Sequence, residues 1–145
     1  MMDPSALMDL PSNCRTGCDL VSLHDIDESV ASFGDRFLAR VFTDRELAYC
    51  AGTQQRQRLA ARFAAKEAIV KALALPDIAT PLREIEVVND PAGPPRVVLH
   101  GSIATEARAQ HWSSVSVSLS HTDCHAMAVV VAMVTDNDAF EKQHG

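Results

Sequence analysis

The chain has 145 residues, 47% of them hydrophobic and 22% charged, a length and composition typical of one globular domain. Its 13 basic and 19 acidic residues give a net charge of −6, which argues against general nucleic-acid binding because a phosphate backbone needs a basic surface. The longest apolar run, at 126–134, is far shorter than the roughly 20 residues that span a membrane, and the first residues show no signal-peptide pattern.

A strand and a series of helices are predicted for the first half of the chain. The capping-box pattern, with a glutamate three positions after the capping residue, occurs at Asp25 and again at Thr43. Glycines end the two helices that these residues open, at Gly34 and before Gly52. In chain order the predicted elements are a strand over 14–23, helices over 26–33, 36–41 and 44–51, and a long helix over 54–75 that Pro76 ends.

The long helix carries charged residues on and beside an apolar stripe. The stripe consists of Leu59, Phe63, Val70, Leu73 and Ala74. Lys66 falls near its centre, one turn after Arg62, while Glu67 lies at its edge with Lys71 as its i+4 neighbour. One interpretation is an ordinary Glu67–Lys71 surface pair, with a Lys66 ammonium that reaches past the apolar surface to water. The other is a carboxylate among cations, suited to holding a metal ion and a polyphosphate together, and the spacing permits both.

The second half of the chain is predicted to contain most of the strands. In order, the elements are a hairpin of 84–88 and 96–100 around the turn NDPAGPP, a helix from Ser102 to His111, a strand over 114–120 and a strand over 126–134. The continuous apolar run of the last strand suits a buried position. These elements predict an α+β fold, a mixed arrangement of helices and strands, in one domain over 1–145 with loose ends at 1–13 and 135–145.

Two polar residues stand out in the predicted strands. Asp19 lies within the first predicted strand. A carboxylate that is buried there lowers stability unless it is paired, hydrogen-bonded or bound to a cation. A side chain that faces outward to water is the simpler interpretation. His121 follows the strand at 114–120 and opens the segment HTDCH. Because a short turn seldom directs consecutive donors at one ion, this segment is only a weak indication of a zinc site.

The spacing of the cysteines and the absence of standard nucleotide-binding motifs exclude further classes of protein. The cysteines are Cys14, Cys18, Cys50 and Cys124. They include no C-x-x-C pair and are too few for a disulfide scaffold, which predicts reduced thiols and a cytoplasmic location. The chain has no Walker A, G-x-G-x-x-G or G-x-S-x-G sequence, which argues against the corresponding nucleotide-binding and hydrolase classes.

Three segments occur in a distinctive order along the chain. They are GCDLVSL around Asp19, RFAAKEAIVKAL from Arg62 to Leu73, and SVSLSHTDCHAMAVVV near the C-terminal end. In this order they resemble the holo-[acyl-carrier-protein] synthases, the small stand-alone type of 4′-phosphopantetheinyl transferase, and the segment REIEVVND at 83–90 also matches. The resemblance covers 16–134 and implies the single-domain fold of that family, an antiparallel-rich sheet packed by one long helix.

The resemblance also implies a reaction. Magnesium-bound coenzyme A donates its 4′-phosphopantetheine arm to a serine of an apo acyl carrier protein, as fatty acid and other lipid biosynthesis requires, and adenosine 3′,5′-bisphosphate leaves. The family's metal-ligand positions match Asp19 and Glu67, which with Lys71 are the implied catalytic residues. Magnesium is commonly held by one or two carboxylates together with substrate phosphates and water, which agrees with that pair.

The coenzyme-binding positions of the family match Arg62, Lys71, His121 and Thr122. Family members of this length are typically homotrimers with coenzyme A bound between subunits, which implies that a neighbouring subunit supplies His121. The group that deprotonates the serine is left open between Glu67 and a magnesium-bound water.

The chain departs from the family pattern at several places. Many relatives have an arginine that grips the acidic carrier where this chain has Asp25, which leaves Arg36, Arg40 and Arg45 as basic candidates. The glycine-rich turn that often follows the K-A-L segment is replaced by ALPD at 74–77, and the N-terminal leader has no assigned role.

Two other functions are consistent with the motifs. One is a catalytically decayed, carrier-protein-binding domain of the same fold, although the retained Asp19, Glu67, Lys71 and His121 argue against decay. The other is a different magnesium-dependent nucleotide enzyme, such as a phosphohydrolase, which would cleave coenzyme A without a carrier. The motifs leave the carrier open between those of fatty-acid, polyketide and peptide synthesis.

Overall fold

A computed structural model of the chain describes residues 8, 11, 13–76 and 79–135. The elements are β1 (Cys14–Ser22), α1 (Leu23–Phe33), α2 (Asp35–Val41), α3 (Asp44–Cys50), α4 (Gln55–Ala72), a 3-10 turn (Leu82–Glu84), β2 (Ile85–Asn89), β3 (Pro95–Leu99), α5 (Gly101–Ala109), β4 (Trp112–His121) and β5 (His125–Val134). Their types and order confirm the predicted mixture of helices and strands. The ends predicted to be loose, 1–13 and 135–145, fall almost entirely outside the described residues.

The strands form two antiparallel groups. β1, β5 and β4 make a three-stranded sheet in that order, and β2 pairs with β3 in the predicted hairpin. Successive residues of β5 point to opposite faces, and those on the face toward the helices are buried. On the other face Val129, Val131 and Met133 are partly exposed. The prediction of a buried β5 is therefore correct for one face and wrong for the other, because in one chain the helices cover the sheet from one side.

α4 packs across the covered face of the sheet at very short range. Its sheet side consists largely of buried alanines, whose small side chains let strand and helix backbones approach. At the closest point a Cβ on Gly17 would lie 1.9 Å from the carbonyl oxygen of Ala68. No helix among the described residues is long and apolar enough to cross a membrane.

α1 and α5 begin earlier in the chain than predicted. α1 begins at Leu23 because Ser22, rather than Asp25, caps it by accepting the N–H of His24. α5 begins at Gly101, and the Glu84 carboxylate accepts both the Ile103 N–H and the Ser102 hydroxyl. These two hydrogen bonds lower the pKa of Glu84, that from Ile103 having the larger effect. The predicted capping box at Thr43 is confirmed.

α4 ends at Ala72, before Pro76 can interrupt it. The Ala74 N–H donates to the Lys71 carbonyl at 3.0 Å and the Leu75 N–H to the Val70 carbonyl at 3.2 Å, which together form a Schellman motif. Ala74 takes the left-handed conformation, with φ +52°, that this motif requires and that glycine normally supplies. The chain therefore keeps the turn geometry of a glycine without having one.

Candidate active site

Asp19 faces α4 from the covered side of β1. Its side chain is 17% exposed, and its Oδ1 accepts a hydrogen bond from the Lys71 ammonium at 3.0 Å. The position follows from Gly17, two residues earlier on the same face, which brings the strand against the helix. The carboxylate that was unusual in the sequence is thus paired rather than directed outward to water.

Lys71 and Glu67 supply the helix side of the same site. The Lys71 ammonium also donates to the Cys18 carbonyl at 2.9 Å, so that two oxygens of β1 hold it. The hydrogen bond and charge of Asp19, with a smaller contribution from the Glu67 charge, raise the pKa of Lys71. Glu67 precedes Lys71 by one helical turn and is half-buried. Two carboxylates therefore lie close to a single ammonium group.

The donor set at this site suits a hard cation that also binds substrate. Within the described ranges no group of three or more His, Cys, Asp or Glu side chains could hold a metal ion by itself. Magnesium does not need such a group, because it commonly takes one or two carboxylates and completes its shell with phosphate oxygens and water. Asp19 and Glu67 fit that requirement. The HTDCH segment contributes to no such group within the described residues.

Lys66 lies in the protein interior, away from this site. It is completely buried, and its ammonium donates to Glu46 Oε1 at 2.8 Å, to the Leu82 carbonyl at 3.0 Å and to the Ile85 carbonyl. Burial lowers the pKa of Lys66, and the charge and hydrogen bond of Glu46 oppose that effect. The interpretation of Lys66 as a residue that reaches water is wrong, because α3 and the start of β2 enclose its end.

Sequence analysis missed the partner of Lys66. Glu46 appeared only as the second member of the capping box at Thr43, and its Oε1 does accept the Thr43 N–H. Its other oxygen accepts the Val87 N–H at 3.1 Å, so one carboxylate joins α3, α4 and β2. The sequence signal was a lysine at the centre of an apolar stripe, which needs an anionic partner when the stripe is buried.

Arg62 does not join Asp19 either. Its guanidinium carbon lies 4.6 Å from the centre of the Tyr49 ring, and the group donates to the Arg58 carbonyl at 3.1 Å and to the Asn89 side chain. The side chain is buried on the α3 and β2 side of α4. Its Nε is buried and has no partner among the described residues.

His121 and Thr122 lie at the far edge of the sheet. β5 separates β4 from β1, so two strand spacings of about 4.8 Å place His121 roughly 10 Å or more from the strand of Asp19. Thr122 holds the turn between β4 and β5, and its hydroxyl accepts the N–H groups of Cys124 and His125. One copy of the chain therefore unites Asp19, Glu67 and Lys71 but not His121.

A groove between α1 and α2 combines apolar and basic residues. It has a volume of about 700 Å³ and is lined by Ser29, Phe33, Arg36, Phe37 and Arg40. The aromatic ring of Phe33 is well exposed, which is unusual for a large apolar side chain.

Part of the acidity of α1 is offset by an arginine of α4. Arg56 donates to both oxygens of Asp27, which lowers the pKa of that carboxyl, and Glu28 lies 3.1 Å from His24. Asp25 is exposed and has no ion-pair partner within the described part of the chain. The lining of the groove between α1 and α2 itself contains two arginines, Arg36 and Arg40, and no acidic side chain.

Comparison with known proteins identifies the family. Residues 15–130 match the family model described as the 4′-phosphopantetheinyl transferase superfamily. The chain belongs to this superfamily. Among the relatives of the transferase is a holo-[acyl-carrier-protein] synthase of Dehalococcoides mccartyi, 44% identical over 117 residues that cover 81% of this chain and 96% of that protein.

Solved structures agree with this assignment. The acyl carrier protein synthase of Mycobacterium tuberculosis has a TM-score of 0.66 and 35% identity, covering 83% of the transferase and 97% of that chain. The Helicobacter pylori holo-[acyl-carrier-protein] synthase, solved in complex with coenzyme A, has a TM-score of 0.70 and 30% identity. The match covers 81% of the transferase and 98% of that chain. The predicted family and fold are therefore confirmed, and the enzyme is a phosphopantetheinyl transferase.

Proposed function

We propose that this transferase moves the 4′-phosphopantetheine arm of coenzyme A to a serine of an apo acyl carrier protein, in a magnesium-dependent reaction that releases adenosine 3′,5′-bisphosphate. The observation that carries the proposal is the meeting of Asp19, Glu67 and Lys71 between β1 and α4. The names of the similar synthases and the coenzyme A complex of one of them support the two substrates. The free cysteines support a reducing, cytoplasmic location.

The residues of the site have separate tasks in this reaction. Asp19 and Glu67 would hold the magnesium ion, which when bound neutralises charge on the diphosphate. Lys71, 56% exposed at the end of α4, presents an ammonium group to a phosphate oxygen. The serine oxygen forms a bond to the phosphorus that carries the pantetheine arm, and the bond from that phosphorus to the bridging oxygen breaks. Glu67 is the candidate in this chain for the base that accepts the serine proton.

A second copy of the chain would complete the site. The outer face of the sheet exposes apolar side chains that a soluble protein normally covers: Leu20, Val129, Val131 and Met133. We propose that these faces pack together in a homotrimer. A neighbouring subunit would then bring His121 and Thr122 to the phosphates held by Lys71, which explains why one copy leaves them apart.

The groove between α1 and α2 is the proposed docking surface for the carrier protein. Arg36 and Arg40 would meet acidic side chains of the carrier, and Phe33 would supply apolar contact. The pairing of Asp27 with Arg56 reduces the repulsion that the sequence of α1 suggests.

Intact-mass spectrometry tests the proposal directly. An apo fatty-acid carrier protein incubated with the enzyme, magnesium and coenzyme A should gain the mass of one phosphopantetheine group, and Glu67→Ala should abolish the gain. If fatty-acid, polyketide and peptide carriers all stay unmodified while the enzyme is folded, the decayed, carrier-binding alternative replaces the proposal. Cleavage of coenzyme A without any carrier would instead identify a phosphohydrolase.

A further inference from the structure

Lys71 occupies the position at which a cation would bind Asp19. Its ammonium touches Asp19 Oδ1 at 3.0 Å and the Cys18 carbonyl at 2.9 Å, with Glu67 one turn away on the same side of the helix. A metal ion bound to the same carboxylate oxygen would sit about 2.1 Å from it. The metal ion and the Lys71 ammonium would repel each other there, because both carry positive charge.

The two partners differ in their freedom to move. Asp19 is mostly buried on a strand that pairs along its whole length with β5 and touches α4 through Gly17. Lys71 is 56% exposed in the last turn of α4, and its long side chain can turn toward solvent without disturbing the fold. When the contact breaks, the ammonium group moves and the carboxylate stays.

We propose that Lys71 is a latch on the metal site, held by Asp19 while the site lacks metal and released to the coenzyme phosphates when metal binds. The inference rests on the proposed function, since it takes Asp19 and Glu67 as the metal ligands. It assigns Lys71 a positioning role before any chemistry, because the ammonium group offsets the charge of Asp19 until coenzyme A supplies a phosphate for it to bind. Coenzyme A therefore strengthens metal binding by removing a competitor, and metal strengthens coenzyme binding by the same factor.

Metal binding in the absence of coenzyme distinguishes the latch from a simple phosphate contact. A lysine that only binds phosphate leaves the metal affinity of the free enzyme unchanged, whereas a latch weakens it. We therefore expect Lys71→Met to bind Mn²⁺ alone more tightly than the wild type, by a factor between about 5 and 150, the usual range of coupling between sites. Free Mn²⁺ can be measured by electron paramagnetic resonance, and competition with Mg²⁺ gives the affinity for that ion.

Two control variants separate the contact from overall charge. Lys71→Arg keeps a cation that can pair with Asp19, so its Mn²⁺ affinity should match or fall below that of the wild type. Arg108→Met removes one exposed charge from α5, where the side chain donates a hydrogen bond to the Thr105 hydroxyl, and should change the affinity by less than about twofold. Thermal unfolding confirms that each variant is folded.

The possible results are unambiguous. Tighter Mn²⁺ binding by Lys71→Met but by neither control supports the latch, and addition of coenzyme A should then improve metal binding more in the wild type than in Lys71→Met. Equal or weaker binding by Lys71→Met overturns it. If no variant binds Mn²⁺, with or without coenzyme, the latch is also overturned, and the mass assay with carrier decides separately whether the proposed function survives.

Discussion

Gly17 and Ala68 are in direct contact between β1 and α4, with no room for a side chain on the glycine. A Cβ there would lie 1.9 Å from the Ala68 carbonyl oxygen and 3.2 Å from the Ala72 backbone nitrogen. The approach sets the position of Asp19 relative to Glu67 and Lys71 on the helix. A glycine that is unremarkable in the sequence therefore determines the geometry of the site.

Gly17→Ala is expected to destabilise the protein by about 3 kcal/mol, because the clash involves helix backbone that cannot move aside. Urea unfolding measures the effect. Gly93→Ala is the matched control, since a Cβ at Gly93 would meet only the Asp90 side chain at an ordinary 3.7 Å. Equal losses of stability in the two variants would show that the contact of β1 with α4 is not as close as described.

Ala74→Gly is expected to stabilise the protein, because Ala74 holds the left-handed conformation at the end of α4. Relief of that conformation is worth roughly 1 kcal/mol, reduced somewhat by the greater freedom of glycine in the unfolded chain. Ala39→Gly, at an exposed position within α2, should instead lose about 0.5–1 kcal/mol. Melting temperatures that move in the same direction for both variants would contradict the assignment of the Schellman motif.

Substitutions of the two lysines in the KEAIVK segment should affect different properties, stability for Lys66 and activity for Lys71. Lys66→Met leaves the buried Glu46 carboxylate without its cation and should lose roughly 3 kcal/mol of unfolding free energy. Lys71→Met should change stability by less than about 1 kcal/mol, because its ion pair is partly exposed, yet it should abolish transfer. Denaturant unfolding measures the stability of each variant, and the mass assay measures its transfer activity. A stable but inactive Lys66→Met together with an unstable but active Lys71→Met would contradict the assignment of the two lysines.

Mixing of subunits tests the shared site. Asp19→Ala and His121→Ala should each be inactive, but a refolded equimolar mixture should recover about one quarter of wild-type activity. That value follows because three quarters of random trimers are mixed and each mixed trimer has one intact site of three. Absence of recovery in trimers verified as mixed by native mass spectrometry would show that both residues act within one subunit.

The charge of the groove between α1 and α2 should govern carrier recognition. Arg36→Glu combined with Arg40→Glu should raise KM for the carrier by about 10-fold or more while leaving KM for coenzyme A unchanged, because only carrier contacts are reversed in charge. Arg108→Glu, on the exposed surface of α5, changes the net charge by half as much and is the control for a nonspecific charge effect. An unchanged KM for carrier in the double variant would remove the groove from the interface.

Local patterns were enough to predict the elements and much of the site. The Thr43 capping box, the 84–88 and 96–100 hairpin and the i, i+4 spacing of Glu67 and Lys71 depend on residues a few positions apart, and the structure contains each of them. The motif resemblance identified the family, which the comparisons confirm. These features are visible in the sequence because backbone geometry ties neighbours to a fixed period.

Only the tertiary structure decided which charges meet. Asp19 and Lys71 are 52 residues apart, and Lys66 and Glu46 are 20 apart, so no helical or strand period relates the members of either pair. The close packing of Gly17 on Ala68 brings the first pair together, and the enclosure of α4 by α3 and β2 brings the second. The packing of the helices also places the Arg62 guanidinium over the Tyr49 ring and leaves one face of β5 uncovered. Neither outcome is visible in one element alone, because burial depends on which elements lie against each other.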